Sequence, residues 1–341
     1  MKKVVTFGEI MLRLSPPGYE RLFQSPHLEA TFGGGEANVA VSLAHFGLDS
    51  WYVTKLPKNP VGDAAVRALR AEGVQTGAIV RGGQRVGIYF AETGASQRAS
   101  TVVYDRAHSA ISGMQPGEVD WRAVLQGAAW LHVTGITPAL GDSAAACTRA
   151  AIDAARAAGA AISIDLNFRR KLWTEVQAQA VMRPLVRGID LVIANEEDLQ
   201  TVLGIEVKAD VTSGRLDAAA YEAAARRVAS EFDVRMVAIT QRESHSASDN
   251  GWSGLLFDAA ADAFHRSQHY DIRIVDRIGG GDSFAAGLVY SLVTGRPAAD
   301  ALRFAVAASA LKHTIPGDFN RVTVDEVDRL VKGDGSGRVQ R

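Results

Sequence analysis

The chain has 341 residues, and 37 Lys and Arg stand against 38 Asp and Glu, which excludes an electrostatic case for nucleic acid or an anionic membrane. Hydrophobic residues make up 47% and charged residues 22%, so a folded core is expected and disorder as the main state is not. One cysteine, Cys147, leaves no intrachain disulfide or thiolate zinc site, and without a signal-peptide core or a run of about 18 apolar residues a soluble cytoplasmic protein is expected.

Val4 to Phe7 is a short apolar run that reads as a buried first strand. Val39, Leu43 and Phe46 recur at helical spacing, and Gly47 stops that helix. Trp51 to Leu56 reads as strand, and Val61 to Glu72 as helix. Four later apolar runs, at Trp130 to Val133, Ile162 to Asp165, Leu191 to Ala194 and Met236 to Ile239, read as further strands. Alanine-rich helices, Ala144 to Ala158 and Ala218 to Phe232, lie among them. Short apolar strands separated by helices predict an α/β fold, a mainly parallel sheet covered on both faces.

Two stretches break this rhythm. Met11 to Phe32 holds Pro16, Pro17, Gly18 and Pro26, and Val86 to Arg106 has β-rich ends around a polar turn. Both are expected to leave the main sheet as a small β lid. The core is then 1–10, 33–85 and 107–332, the lid 11–32 and 86–106, and 333–341 a disordered tail. A small sheet is marginal alone, so a homo-oligomer joined through the lid is expected.

The sequence lacks the Gly-x-Gly-x-x-Gly dinucleotide loop, the P-loop and the Gly-x-Ser-x-Gly elbow. His265 and His269 read as surface histidines rather than a metal pair. The strongest local signal is Asp276-Arg277-Ile278-Gly279-Gly280-Gly281-Asp282-Ser283-Phe284, between a β-like run from Ile272 to Val275 and a helix from Ser283 to Thr294. Glycines at a helix start leave backbone N–H groups for an anion. Asp282 beside them can take a proton from a hydroxyl while those amides hold a transferring phosphoryl group. A capping Asp after a flexible turn explains the same residues.

Gly33-Gly34-Gly35-Glu36-Ala37-Asn38 is a second glycine-rich helix start, where Asn38 offers a donor and an acceptor to hydroxyls. Asp165 to Arg169, Asn195 to Asp198 and Thr240 follow three successive strands, the place where open α/β sheets bind ligands.

These residues resemble the ribokinase-like (pfkB) family of carbohydrate kinases. Gly33-Gly34 with Asn38 matches its first signature, and Asp276 to Phe284 its last, with Arg277 for Thr and Gly280 for Ala. Asn195 to Asp198 stands for its Asn-x-x-Glu, with Asp198 for Glu. Gly8 to Pro16, Tyr104 with Arg106, Arg169, and Lys312 to Asp318 are similar to the subgroup that phosphorylates 2-keto-3-deoxygluconate. The resemblance implies that Gly34, Asn38, Tyr89, Tyr104, Arg106, Arg169 and Asp318 bind the sugar acid, and that Asp282 is the base. It implies that Asn195, Thr240, Gly279, Gly280 and Gly281 meet ATP, and that Asp198 organises Mg2+, also through water; Arg242, where the sequence departs from the family, is expected to join the nucleotide contacts. A monovalent cation is left open. The stretch after Thr240 has Gln241-Arg242-Glu243 where relatives have glycines, so Arg242 replaces a backbone contact or the loop takes another path. A carboxylate substrate calls for a cation, and Arg106 and Arg169 are the candidates. A kinase for a neutral ketose such as fructose, or a silent sugar- or nucleotide-binding regulator, are the alternatives.

Overall fold

Consecutive strand residues point to opposite faces of a sheet, so a run such as Val4-Val5 stays apolar only where both faces are covered. Both residues are fully buried, and they belong to different core clusters. The computed structural model describes residues 1–207 and 218–335.

The chain begins β1 (Lys3–Phe7), β2 (Met11–Ser15), β3 (Glu29–Gly33), α1 (Gly35–His45), β4 (Asp49–Val53) and β5 (Lys55–Leu56). It continues α2 (Pro60–Ala71), β6 (Val80–Arg81), β7 (Gly87–Glu92), β8 (Thr101–Asp105), α3 (Trp121–Leu125) and β9 (Ala128–Thr134). Then come α4 (Asp142–Ala158), β10 (Ala161–Asp165), α5 (Glu175–Val186), β11 (Leu191–Ala194), α6 (Glu196–Leu203) and α7 (Ala218–Phe232). Last are β12 (Met236–Ser244), β13 (Asp249–Asp258), β14 (Ala263–Arg266), β15 (Tyr270–Arg273), α8 (Gly280–Val293), α9 (Ala298–Lys312) and α10 (Val324–Val331).

Among the described residues, a nine-stranded sheet runs β14-β13-β12-β11-β10-β9-β1-β4, with β15 also paired to β13. From β12 to β4 every pairing is parallel, and β13 pairs antiparallel with β12, β14 and β15. Val5, Leu131, Ile164, Val192 and Val237 pack on one face with residues of α3 to α7. Val4, Trp130, Leu191, Ile193 and Ala238 pack on the other with residues of α1, α8, α9 and α10. The parallel order puts the carboxyl ends of β1, β10, β11 and β12 along one edge, where the site lies.

A separate four-stranded sheet has the order β3-β2-β7-β8. Its four strands come from the two stretches that break the core's rhythm. The polar turn from Thr93 to Ser100 docks on the core: Ala247 N donates to Ser96 O at 2.8 Å, and Ser96 N to Ser248 Oγ at 3.0 Å.

The structure corrects three expectations. First, the stretch after Thr240 is no loop. β12 continues to Ser244 because Arg242 pairs opposite Trp252 in the antiparallel β13. Second, α8 starts at Gly280 rather than Ser283, with Gly279 as its N-cap at φ 86°; only glycine adopts that backbone freely. Third, Gly333 and Asp334 fold back on α10, their amides bonded to Leu330 and Arg329 carbonyls at 3.0 and 3.1 Å, so that part of the tail is structured. The remainder of the expected tail, 336–341, lies outside the described residues.

Candidate active site

Two helix N-termini converge at the carboxyl edge of the main sheet, α1 and α8. Gly34 is the N-cap of α1, and a Cβ there would lie 2.0 Å from the Glu9 carbonyl oxygen, so the close approach of α1 to the segment after β1 requires glycine. Asn38, buried in the first turn, donates from Nδ2 to Asp282 Oδ2 at 2.7 Å. Asp282 sits in the first turn of α8, half-buried. The two glycine-rich helix starts therefore meet through a single amide–carboxylate hydrogen bond.

They open on a cavity of about 410 Å³. Gly34, Asn38, Tyr89, Tyr104, Arg106, Arg169 and Asp318 line it, as do Asp282, Asn195, Asp198, Thr240, Arg242, Gly279 and Gly281. Gly280 does not. It packs against His313, where a Cβ would lie 2.3 Å from the ring, and its carbonyl accepts from Ser309 Oγ at 2.7 Å. Its glycine serves the packing of α8 on α9. At Gly281, by contrast, a Cβ would meet nothing within 4 Å.

Several predicted ligands already hold partners. Arg106 is buried and donates to Glu9 Oε2 from Nε at 2.9 Å and from Nη2, while Ser109 Oγ donates to Glu9 Oε1 at 2.6 Å. Its charge is thus compensated inside the protein, and it lines the cavity with that charge already paired. The Tyr89 hydroxyl donates to the Asp318 carboxylate at 2.6 Å. Asp318 also accepts from Arg13 Nη1 at 2.8 Å. Asn195 and Asp198 form a capping box on α6, and Asp198 accepts from the amides of Phe168 and Asn195 at 2.9 and 3.3 Å. Arg169 differs: it donates to its own neighbour's carbonyl, Phe168 O, and has no ion-pair partner among the described residues.

Four acids stand close together here. Burial pushes Asp282 up to about 6, against the Asn38 hydrogen bond that lowers it. Burial also pushes Asp198 up to about 6 and Glu36 to about 7. Asp165 rises well above the ordinary carboxylate range, first from burial and then from the charges of Asp198 and Asp282. The positive charge of Arg169 opposes the rise at Asp165, Asp198 and Asp282. Three weak acids around one guanidinium that has no ion-pair partner among the described residues, beside free helix amides, suit proton abstraction from a bound hydroxyl and capture of an anion.

Sequence reasoning missed the group that anchors this arrangement. Arg13 on β2 is buried and donates to Asp276 Oδ2 at 2.7 Å, Asp318 Oδ1 at 2.8 Å and Ser15 Oγ at 2.8 Å. Asp276 in turn accepts from Ile278 N and Gly317 N, both at 3.0 Å. Lys312 is buried too, its ammonium 3.1 Å from Ile315 O and 3.4 Å from Asp276 O. The signal was the polar residue at the middle of an otherwise apolar β2, Met-Leu-Arg-Leu-Ser. Glu9, Glu36, Asp165, Trp252 and Arg277 also line the cavity without having been assigned a role.

A profile described as pfkB family carbohydrate kinase matches residues 1–321. A 2-dehydro-3-deoxygalactonokinase of Haloferax volcanii is 33% identical over 337 residues, 98% of either chain. A 2-dehydro-3-deoxygluconokinase of Bacillus subtilis is 27% identical over 330 residues, 94% of this chain and 93% of that one. The crystal structure of a Thermotoga maritima 2-dehydro-3-deoxygluconokinase superposes with a TM-score of 0.94 at 50% identity, over 98% of this chain and 100% of that one.

Removing one member of a buried ion pair strands the other charge and typically costs about 3–5 kcal/mol. Arg13→Met is expected to lose about that much unfolding free energy, measured in urea at neutral pH. A loss below about 1 kcal/mol, as for a surface pair, would show that the Asp276–Arg13–Asp318 cluster does not anchor the fold.

Proposed function

The chain belongs to the pfkB family of carbohydrate kinases, and from that premise we propose that it transfers the terminal phosphoryl group of ATP to 2-dehydro-3-deoxygluconate or its galactonate epimer. The observation that carries this reading is the cavity itself, with Asp282 at the N-terminus of α8 and Arg169 without an ion-pair partner among the described residues. The relatives reported above supply the substrate class.

In this reading Arg169 holds the sugar-acid carboxylate, through charge-assisted hydrogen bonds. Asn38, the only one of the proposed sugar ligands bonded to Asp282, orients the base. Arg106, tied to Glu9, and Tyr104, whose ring lies tilted against Tyr89 at 6.0 Å between centroids, shape the wall. Asp282 removes the proton from the terminal hydroxyl as its oxygen bonds to the γ-phosphorus. The bond from that phosphorus to the departing diphosphate breaks, and the amides of Gly279 and Gly281 lie beside the charge that develops. Asn195, Thr240 and Arg242 form the nucleotide end. Magnesium, when bound with the nucleotide, offsets phosphate charge. Asp165, whose side chain has no hydrogen-bond partner among the described residues, and Asp198, which retains lone pairs for water, fit that ion.

The small sheet is read as a lid, and its outer strand β8 exposes Thr101, Val103 and Asp105. Val103 is 46% exposed, on an edge with no partner strand among the described residues, so a second copy of the chain is the proposed cover. A strict monomer in sedimentation at micromolar concentration would rule out that pairing and leave the lid standing.

Asp282→Asn retains the shape and removes the basicity, so kcat should fall by about 10²–10⁴. Wild-type kcat/KM should decline as pH drops through about 6, where Asp282 takes up its proton. Because its pKa is raised on folding, the ionised carboxylate costs stability above about pH 6, and the cost vanishes once pH falls below the unfolded value near 4. Asp282→Asn should therefore melt higher than wild type at pH 8, with the gap closed by about pH 4. An active Asp282→Asn enzyme would remove the base assignment.

Arg169→Ala should lose about ten- to a hundredfold in kcat/KM on the sugar acid and far less on a neutral sugar of similar size. Arg106→Ala should lose equally on both, since its charge answers Glu9 rather than the substrate. A wild-type preference for fructose would move the substrate to a neutral ketose and leave the kinase assignment intact.

A further inference from the structure

Arg277 heads the glycine-rich turn, where relatives' signature has threonine, and no role has been given to it above. It lines the same cavity as Arg242, which projects from β12 and lies 5.2 Å over the Trp252 ring. Among the described residues neither arginine has an ion-pair partner, although most other arginines of the chain do. Arg277 Nη2 donates to Ala247 O at 3.1 Å, and its buried Nε has no acceptor. A guanidinium donor left without an acceptor is costly, and a bound anion would offset that cost. The two cations also act against one another: burial and then the charge of Arg277 lower the pKa of Arg242. The charge of Glu196 opposes these effects without forming an ion pair with Arg242 among the described residues, and two like charges gathered with so little counter-charge mark a place prepared for an anion.

We propose that Arg277, together with Arg242, binds the polyphosphate of the phosphoryl donor, as a second anion subsite beside the first turn of α8. This rests on reading the cavity as a nucleotide-dependent kinase site. The chemistry is bidentate capture of phosphate oxygens by planar guanidinium groups, which a lysine cannot reproduce. The anchor of Arg277 adds a link. Ala247 belongs to the turn on which Ser96 of the small sheet docks, so one four-residue turn holds both the donor ligand and the tip of that sheet.

The test uses the full chain, with ATP and inorganic tripolyphosphate as probes in titration calorimetry. Wild type is expected to bind tripolyphosphate in competition with ATP. Arg277→Thr should weaken both by about ten- to a hundredfold, and raise KM for ATP in parallel while KM for the sugar acid is unmoved. Arg277→Lys should fall between the two, and it decides the question if Arg277→Thr does not fold. Variants that bind both probes as wild type does overturn the proposal, as does a wild type that binds ATP but no tripolyphosphate. If wild type binds both probes yet phosphorylates no sugar acid, the substrate reading fails and the subsite stands. If it binds neither, both readings fall.

Discussion

One buried guanidinium joins three distant pieces of this chain. Arg13 comes from the small sheet, Asp276 from the segment before α8, and Asp318 from the segment after α9. Both carboxylates are buried, so in place of water each has the arginine, with added donors from Tyr89, Ile278 and Gly317. A buried cluster of this kind contributes little net stability compared with an apolar one, but its hydrogen-bond directions are strict. That strictness explains the glycines around it. A Cβ at Gly33 would lie 1.9 Å from Asp318 Oδ2, and one at Gly279 would lie 2.2 Å from the Asp318 carbonyl oxygen. The backbone of both glycine-rich turns is thus shaped by where Asp318 is held.

The cavity beyond it is built at some expense to the fold. Asp165, Asp198, Asp282 and Glu36 lie near one another with every pKa raised, burial being the leading cause in each. Arg169 moderates the first three without pairing to any of them. Such a set weakens the native state at neutral pH, and proteins generally keep such sets only where chemistry uses them.

Much of the core was legible because its signals are local. The apolar runs at Val4, Trp130, Ile162, Leu191 and Met236 each became a parallel strand, and Gly34, Asn38 and Asp282 were brought to one cavity as spacing and resemblance implied. What sequence hid was pairing. Nothing local to Arg106 says that Glu9 will take its charge, since the partners are 97 residues apart. Nothing in Gln241-Arg242-Glu243 says strand rather than loop until Gly251, Trp252 and Ser253 are laid opposite. The partners of Arg13 were hidden for the same reason, its acids lying 263 and 305 residues away. Asn195 and Asp198 form a helix cap and face the cavity at once.

The small sheet's wiring has a consequence for how the molecule assembles. Its two halves are not neighbours in the chain: Met11 pairs in parallel with Gly87, and α1, β4 and α2 intervene. Closing so large a loop has an entropic cost that β2 and β7 alone, a handful of residues each, do not offset. The strands are delivered to one another only after the intervening units have docked on β1. The cavity is lined by residues of both layers, so a chain in which β2 and β7 are not yet paired offers its substrates no complete site.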